Sequence, residues 1–391
     1  MKPHVHFFGG QGIGWALDED LARARDALGD RICEGSFAGS TIIHSAWWPP
    51  LLHAGARALA GKTVICFADN PPAFYLTRPG FEAAAARVDL WIARSHEAVR
   101  QFQELGLNVH LAPYTVDPDV FRPIPDPMRQ HVRTALGIGP EEFVVGNFHR
   151  DSLERDVSLP KAQKGPDQFL EVVTEARNQI PNLKVLLAGP RRHWLRRELT
   201  RRNIPFAFSG QILAGDDFSV NVLPRGELNG LYAALDTVVI SSRWEGGPYS
   251  ALEGLLAGRP VISTSVGMAA DLLNGWLYRS PSEGADLLAS IARTPPDFSV
   301  LREKALASHS PQALASALAS AYEKYPHGQE PPFRAAMAFA FLNLARLHPS
   351  FRAPLGSHQQ VAEVMAEVRA KRPGGRRVVA EAITIAEAEE R

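Results

Sequence analysis

Cysteine is nearly absent. Cys33 and Cys66 are the only two among 391 residues, too few for a disulfide scaffold and too isolated for the close pairing of a zinc site. They read as two small buried residues in a reducing compartment. An excess of charge is missing as well. The 42 Lys and Arg residues balance 42 Asp and Glu, which argues against a dedicated nucleic-acid binder with its strong basic surplus. Long apolar runs are missing too. The longest helix-like one, around Ala335–Ala345, falls short of the roughly 20 residues that span a bilayer. The opening MKPHVHFFGG is interrupted too soon for a signal peptide. Together these absences indicate a cytoplasmic protein, with contact at a membrane surface left open. The chain also has no HExxH pair, no Gly-x-Ser-x-Gly elbow, no Asp-x-Asp in a suitable context and no repeat of fixed period.

What is present is ordinary globular material, 45% hydrophobic and 21% charged, so wholesale disorder is excluded. One core rarely grows past about 250–300 residues, so the length asks for two or three domains. Short apolar runs alternate with stretches of helical length. The pattern predicts strands at His4–Phe8, Ser40–His44, Thr63–Phe67, Leu90–Ala93 and Asn108–Ala112, with helices at Asp18–Leu28 and His96–Leu105. Runs such as TVICF lack polar alternation, as parallel strands covered on both faces do. Residues 121–140 hold four prolines and read as a connection.

A second series follows, with strands at Phe143–Asn147, Leu183–Ala188, Thr237–Ser241 and Pro260–Ser263 and helices at Asp167–Gln179 and Tyr249–Leu256. The expected fold is α/β: two doubly wound, Rossmann-like domains with parallel sheets facing a cleft, over 1–120 and 141–325, joined by the 121–140 linker. Ligands of such sheets sit at the carboxyl ends of the strands. The remainder, 326–391, reads as a helical extension with helices at Phe333–Leu347, Gln359–Lys371 and Val378–Glu390. It would return to the first domain or serve association, including a homodimer.

The segment from Ser242 through Ile262 is the most informative. Glu245 and Glu253 stand eight apart, the first in the loop after a strand and the second one turn into a helix. Gly246, Gly247 and Pro248 form the loop, and backbone N–H groups near Tyr249 and Ser250 would meet phosphate oxygens. Two carboxylates flanking such an anion site suit a nucleotide sugar, one for sugar hydroxyls and one for ribose. The competing reading is a capped surface helix with two solvated glutamates.

In its surroundings, the segment resembles the E-x7-E signature of GT-B fold retaining glycosyltransferases of the glycosyltransferase family 4 type (group 1). Three more segments agree in order. Val88 through Glu97 resembles the last strand of the first domain and the serine after it. Ala112-Pro-Tyr-Thr-Val-Asp-Pro-Asp-Val-Phe-Arg-Pro123 resembles the crossing between domains, with Tyr114 and Thr115 in place of Asn-Gly. Gly146-Asn-Phe-His-Arg150 with Lys164-Gly165 resembles the Arg and Lys-Gly that hold the donor diphosphate. The resemblance covers roughly 88–325.

The resemblance implies transfer of a sugar from a nucleoside-diphosphate sugar to an acceptor hydroxyl, with retention of configuration. The donor would be a UDP- or GDP-sugar, with no other cofactor and no metal. The acceptor would be a glycan, a lipid-linked molecule or a small molecule. Glu245 would bind donor-sugar hydroxyls, Glu253 the ribose, and Arg150 and Lys164 the departing diphosphate, whose growing charge fixed cations stabilise. Lys161 competes with Lys164, and the following Gly165 favours Lys164. The segment between them and Arg150 is long and polar and reads as a mobile loop.

Gly10 and Gly12, in the loop after the first strand, would face the diphosphate. Trp15 and Trp47 are candidates for the acceptor side. Asp69 and Asn70 stand where many relatives have a histidine against the donor sugar, and Asp69 could orient an acceptor hydroxyl. Two arginine-rich clusters, one at 191–202 and one at 369–377, read as solvated faces, with an anionic lipid or polyanionic acceptor as the other reading. Competing functions are a nucleotide-sugar epimerase or hydrolase on a related fold, and a non-catalytic nucleotide-sugar or glycan-binding scaffold.

Overall fold

In the computed structural model, the structure describes residues 2–324 apart from 11, 13–15, 55 and 77. Trp15, the three helices expected after residue 326 and the basic cluster at 369–377 therefore lie outside the described residues. The chain forms two compact units, the first from residues up to 113 together with those from 312, the second from 114 to 311.

The first unit is built on six parallel strands: β1 His4–Phe8, β2 Cys33–Glu34, β3 Ile42–Ser45, β4 Thr63–Phe67, β5 Leu90–Ala93 and β6 Val109–Leu111. Their order is β2-β1-β3-β4-β5-β6, with Ile42 to Ser45 of β3 in register with Thr63 to Cys66 of β4. All five residues of β4 are buried. Val64 and Cys66 enter the apolar cluster on one face, Ile65 and Phe67 the cluster on the other. That two-sided burial is why TVICF carries no polar alternation.

The helix Pro311–Lys324 completes the second face. Leu314, Leu318, Ala321 and Tyr322 join Val5, Phe7, Ile42, Ile65 and Phe67 in one cluster. Their spacing of four, three and one puts them on a single helical face. Nearly all of this helix, expected as the end of the second domain, belongs to the first unit.

The second unit has β7 Phe143–Asn147, β8 Leu183–Ala188, β9 Phe206–Ser209, β10 Thr237–Ile240, β11 Val261–Thr264 and β12 Leu277–Tyr278. These are ordered β12-β11-β10-β7-β8-β9 and all parallel. Chain order runs outward in both directions from the β7/β10 pair. That reversal is the switch point at which a doubly wound sheet opens a crevice beyond its carboxyl ends.

The 121–140 stretch is not a plain connection, because it contains the helix Asp126–Ala135. Two of the four prolines, Pro125 and Pro127, sit at its N-cap and in its first turn, where no N–H is needed. Arg129 and Arg133 then anchor it to Asp236 at 2.7 and 3.2 Å. Among the described residues no helix is long and apolar enough to cross a membrane, and both cysteines are free thiols.

Candidate functional site

The second unit holds the expected donor-side residues other than Gly10 and Gly12, which lie in the first unit, around the carboxyl ends of β7 and β10. His149 and Arg150 follow β7, and Ser242 through Glu245 follow β10. Lys164 arrives on a short turn, Ala162–Lys164, that leads into the helix Pro166–Arg177. The turn is pinned from several sides. Ser241 donates its hydroxyl to the Lys164 carbonyl at 3.0 Å. The Arg243 amide donates to Gln163 at 2.8 Å, and its guanidinium grips Asp167 with two bonds of 2.8 and 2.5 Å. Gly165 is obligatory here. Its φ is +56°, and a Cβ would lie 1.9 Å from the Ser241 carbonyl oxygen. The glycine after Lys164 thus allows the backbone to press against β10's end.

Glu245 is 7% exposed, so the reading with two solvated glutamates fails. Its carboxylate meets the Lys164 ammonium at 2.8 Å and accepts the Ser242 hydroxyl. Two unit charges at that distance attract by about 6 kcal/mol at an effective dielectric near 20, while burying an ion costs several kcal/mol. The balance favours the charged form. Burial pushes the Glu245 carboxyl up, but Lys164 and the Ser242 hydroxyl outweigh it and hold the group below its usual value.

Glu253 is half-buried and accepts a 2.7 Å hydrogen bond from Tyr232. Burial and the neighbouring carboxylate push that phenol far above its ordinary range, so Tyr232 is a neutral donor.

The loop between the glutamates is packed against an aromatic pair. Tyr114 is 5% exposed, and its ring centre lies 4.7 Å from that of Tyr249. A Cβ on Gly247 would sit 2.6 Å from the Tyr114 ring. The departure from the family's Asn-Gly at 114 is therefore matched by a loop that leaves room for the ring. Pro248 occupies the N-cap of the helix Tyr249–Leu256 and supplies no side-chain cap. Within the helix's first turn, Ser250 is 6% exposed and lies 2.6 Å from His149 Nε2.

Further cations surround the pair. Arg150 is largely withdrawn from water, and burial, with Arg191 beside it, pulls its pKa down. Lys161 is pulled down to about 8, by burial first and then by Arg150 and Lys164. Lys161 thus belongs to the same charge cluster as Lys164. The segment expected as a mobile loop is tied down in the structure. Ser152 and Pro160 form an antiparallel bridge, the Lys161 amide donates to Asp151 at 2.7 Å, and Arg197 donates to Ser158 at 2.8 Å.

Arg191 and Arg192, read from sequence as part of a solvated face, are instead 4% and 0% exposed. Arg192 lies under the site, 3.4 Å from Asp151 and 2.6 Å from the Asn147 carbonyl. Arg191, at φ +57°, pairs with Asp216 at 2.8 Å and Glu154 at 3.3 Å. Arg197 and Arg201 do face solvent.

In the first unit, the Trp47 indole donates to the Gly9 carbonyl at 3.1 Å, which joins the ends of β3 and β1. Gly10 has Asp18 as its neighbour, and the Gly12 amide donates to that carboxylate at 3.1 Å. Asp69 and Asn70 bond one another at 2.8 Å. Tyr75 donates to Asp69 at 2.5 Å and accepts from the Asn70 amide at 2.9 Å. Burial raises the Asp69 carboxyl even against these two hydrogen bonds. Among the described residues, no three or more His, Cys, Asp or Glu side chains gather as metal ligands.

Sequence reasoning passed over His149, Ser242, Tyr232 and the Arg192–Asp151 pair. Only His149 carried a signal, its place directly before Arg150.

Residues 157–294 match the family described as Glycosyl transferases group 1. The D-inositol 3-phosphate glycosyltransferase of Corynebacterium jeikeium is 30% identical over 311 residues, 73% of this chain and 69% of that protein. The lipopolysaccharide core biosynthesis mannosyltransferase LpsB of Rhizobium meliloti is 28% identical over 167 residues, 41% of each chain. The chain spans 41% to 61% of the length of three of the curated relatives it matches. Among solved structures, Anabaena HepE in complex with UDP and glucose aligns with a TM-score of 0.63 and 17% identity, over 83% of this chain and 100% of that one. That likeness concerns the fold alone, and the fold is GT-B.

Proposed function

The chain belongs to the group 1 glycosyltransferases, and from that premise we propose that it moves a sugar from a nucleoside-diphosphate sugar to an acceptor hydroxyl with retention of configuration. The observation that carries this reading is the buried Glu245 held at 2.8 Å by Lys164, with Arg150 and Lys161 in the same charge cluster. A carboxylate kept ionised beside surplus fixed cations suits a ligand with hydroxyls at one end and two phosphates at the other.

In this reading Arg150 and Lys164 hold the diphosphate, and their effect grows as the glycosidic bond breaks and charge builds on the leaving oxygen. Glu245 accepts from donor-sugar hydroxyls. Glu253, with one oxygen already bonded to Tyr232, accepts from the ribose. The loop Gly246-Gly247-Pro248 and the first turn at Tyr249 and Ser250 present backbone to the phosphates. UDP is the first nucleotide to try, because HepE was solved with it. The acceptor is a glycan, a lipid-linked molecule or a small polyol such as the inositol phosphate named for one relative. Two free thiols suit work in a reducing compartment.

The test is transfer from UDP- and GDP-sugars to a panel of such acceptors, with donor alone as the control. Arg150→Ala and Lys164→Ala should each lower turnover by about 10²–10³, the cost of removing one donor to developing charge. Near-full turnover in either variant would overturn the assigned roles. Rapid consumption of donor without acceptor would indicate a hydrolase instead.

A further inference from the structure

His149 links the two ends of the donor site by a chain of side-chain contacts. Its Nε2 stands 2.6 Å from the Ser250 hydroxyl. Its Nδ1 faces the Ser242 hydroxyl oxygen at 3.4 Å, and Ser242 donates its proton to Glu245. Ser242 is fully buried, and Ser250 and Glu245 are 6% and 7% exposed, so water does not compete strongly for these groups.

The direction of each bond follows. The imidazole is neutral, because burial pulls its pKa down to about 3 despite the Glu245 carboxylate, with Lys164, Arg192 and Arg150 acting the same way as burial. A neutral ring has one N–H and one lone pair. Ser242 has committed its hydrogen to Glu245, so only its oxygen lone pairs face the ring. The N–H must therefore sit on Nδ1, since the other tautomer would set lone pair against lone pair. Nε2 is then the acceptor, and Ser250 donates to it. Ser250 to His149 to Ser242 to Glu245 is thus a single directed relay.

We propose that His149 is a positioning residue that fixes the phosphate end of the site, at Ser250, relative to the sugar end, at Glu245. This inference rests on the donor-site reading given above. In this reading His149 acts through Ser250 and Ser242. It accepts the Ser250 hydroxyl and so ties down the first turn of the helix, whose backbone N–H groups favour an anion. Through Ser242 it also holds the carboxylate that would accept the sugar hydroxyls.

The experiment is calorimetric titration with UDP, then GDP, of the full chain and of H149A, H149Q, S250A and H149A/S250A. H149A and S250A should each weaken nucleoside diphosphate about tenfold, because each releases the first helical turn whose backbone N–H groups meet the phosphates. The double variant should be no weaker than the worse single one, because both cut the same relay. H149Q, whose amide reaches as far as Nε2, should recover most of the affinity, which a packing role would not allow. Parent-like binding by H149A, or a double variant showing the product of the two single losses, would overturn the relay alone. A parent that binds neither nucleotide would overturn the donor-site reading and the relay with it.

Discussion

Alanine at Gly165 probes the join between Lys164 and the sheet. The residue has φ +56°, and its added Cβ would lie 1.9 Å from the Ser241 carbonyl oxygen. The Cβ is fixed rigidly to the backbone and its neighbour is a backbone carbonyl, and this backbone is held by hydrogen bonds at Lys164 and Gly165, so no flexible side chain can swing away. The gap has to open by more than an ångström. A left-handed conformation costs a non-glycine residue about 1–2 kcal/mol, and forced overpacking adds roughly 1–3 kcal/mol. The expected loss is therefore about 2–5 kcal/mol for the second unit.

The same displacement moves Lys164 relative to Glu245, and a 1 Å misplacement costs about 10²-fold in rate. Gly137 is the control, with φ +65° and no atom within 4 Å of its added Cβ. G137A should lose only the conformational cost and keep its turnover. Urea midpoints at unchanged slope give the stabilities, and initial rates of sugar transfer give the turnover. If G165A matched G137A in both, the close approach would not constrain Lys164.

Two further outcomes follow from buried charges. Arg192 is fully buried beside the 1% exposed Asp151. R192M leaves that carboxylate without its principal cation and should cost about 3–5 kcal/mol; urea unfolding that moves by less than 1 kcal/mol would refute the pairing. His44 is fully buried in the first unit, its ring tilted against Phe67 with centres 4.2 Å apart and its Nδ1 2.6 Å from the Tyr322 hydroxyl. Burial, then Arg94, lowers its pKa to about 3. The unfolded chain takes up a proton below about pH 6.5 that the folded chain refuses. Stability is thus complete above that pH and falls by about 1.4 kcal/mol for each unit below it. H44Q removes the titration, so its stability curve should converge on the parent's by about 2 kcal/mol between pH 7 and 5; parallel curves would exclude the effect.

Residues whose neighbours lie close in sequence were legible. Glu245 and Glu253 declare themselves because loop and helix follow one another without interruption, and Gly165 marks Lys164 because the turn's geometry is local. The strand Thr63–Phe67 was readable for a different reason, since burial on both faces leaves nothing but apolar residues. The residues that escaped take their meaning from distant partners. Arg192 sits among six arginines within twelve residues, and a run of that kind usually means solvent. It is buried because its guanidinium reaches Asn147 and Asp151, both about forty positions earlier. Tyr232 acquires a role only where its hydroxyl meets Glu253, and Tyr322 only where it meets His44.

The prolines of 121–140 misled in a related way. Proline breaks a helix in the middle and begins one at the first turn, and the distinction depends on Asp236, a hundred residues on, receiving Arg129 and Arg133. Tyr114 shows how such distance bears on function. Against the family pattern it is a departure that argues for a degraded site. In the fold it fills the space beside Gly247 and packs on Tyr249, so the substitution supports the loop between the two glutamates and is no argument for a non-catalytic scaffold.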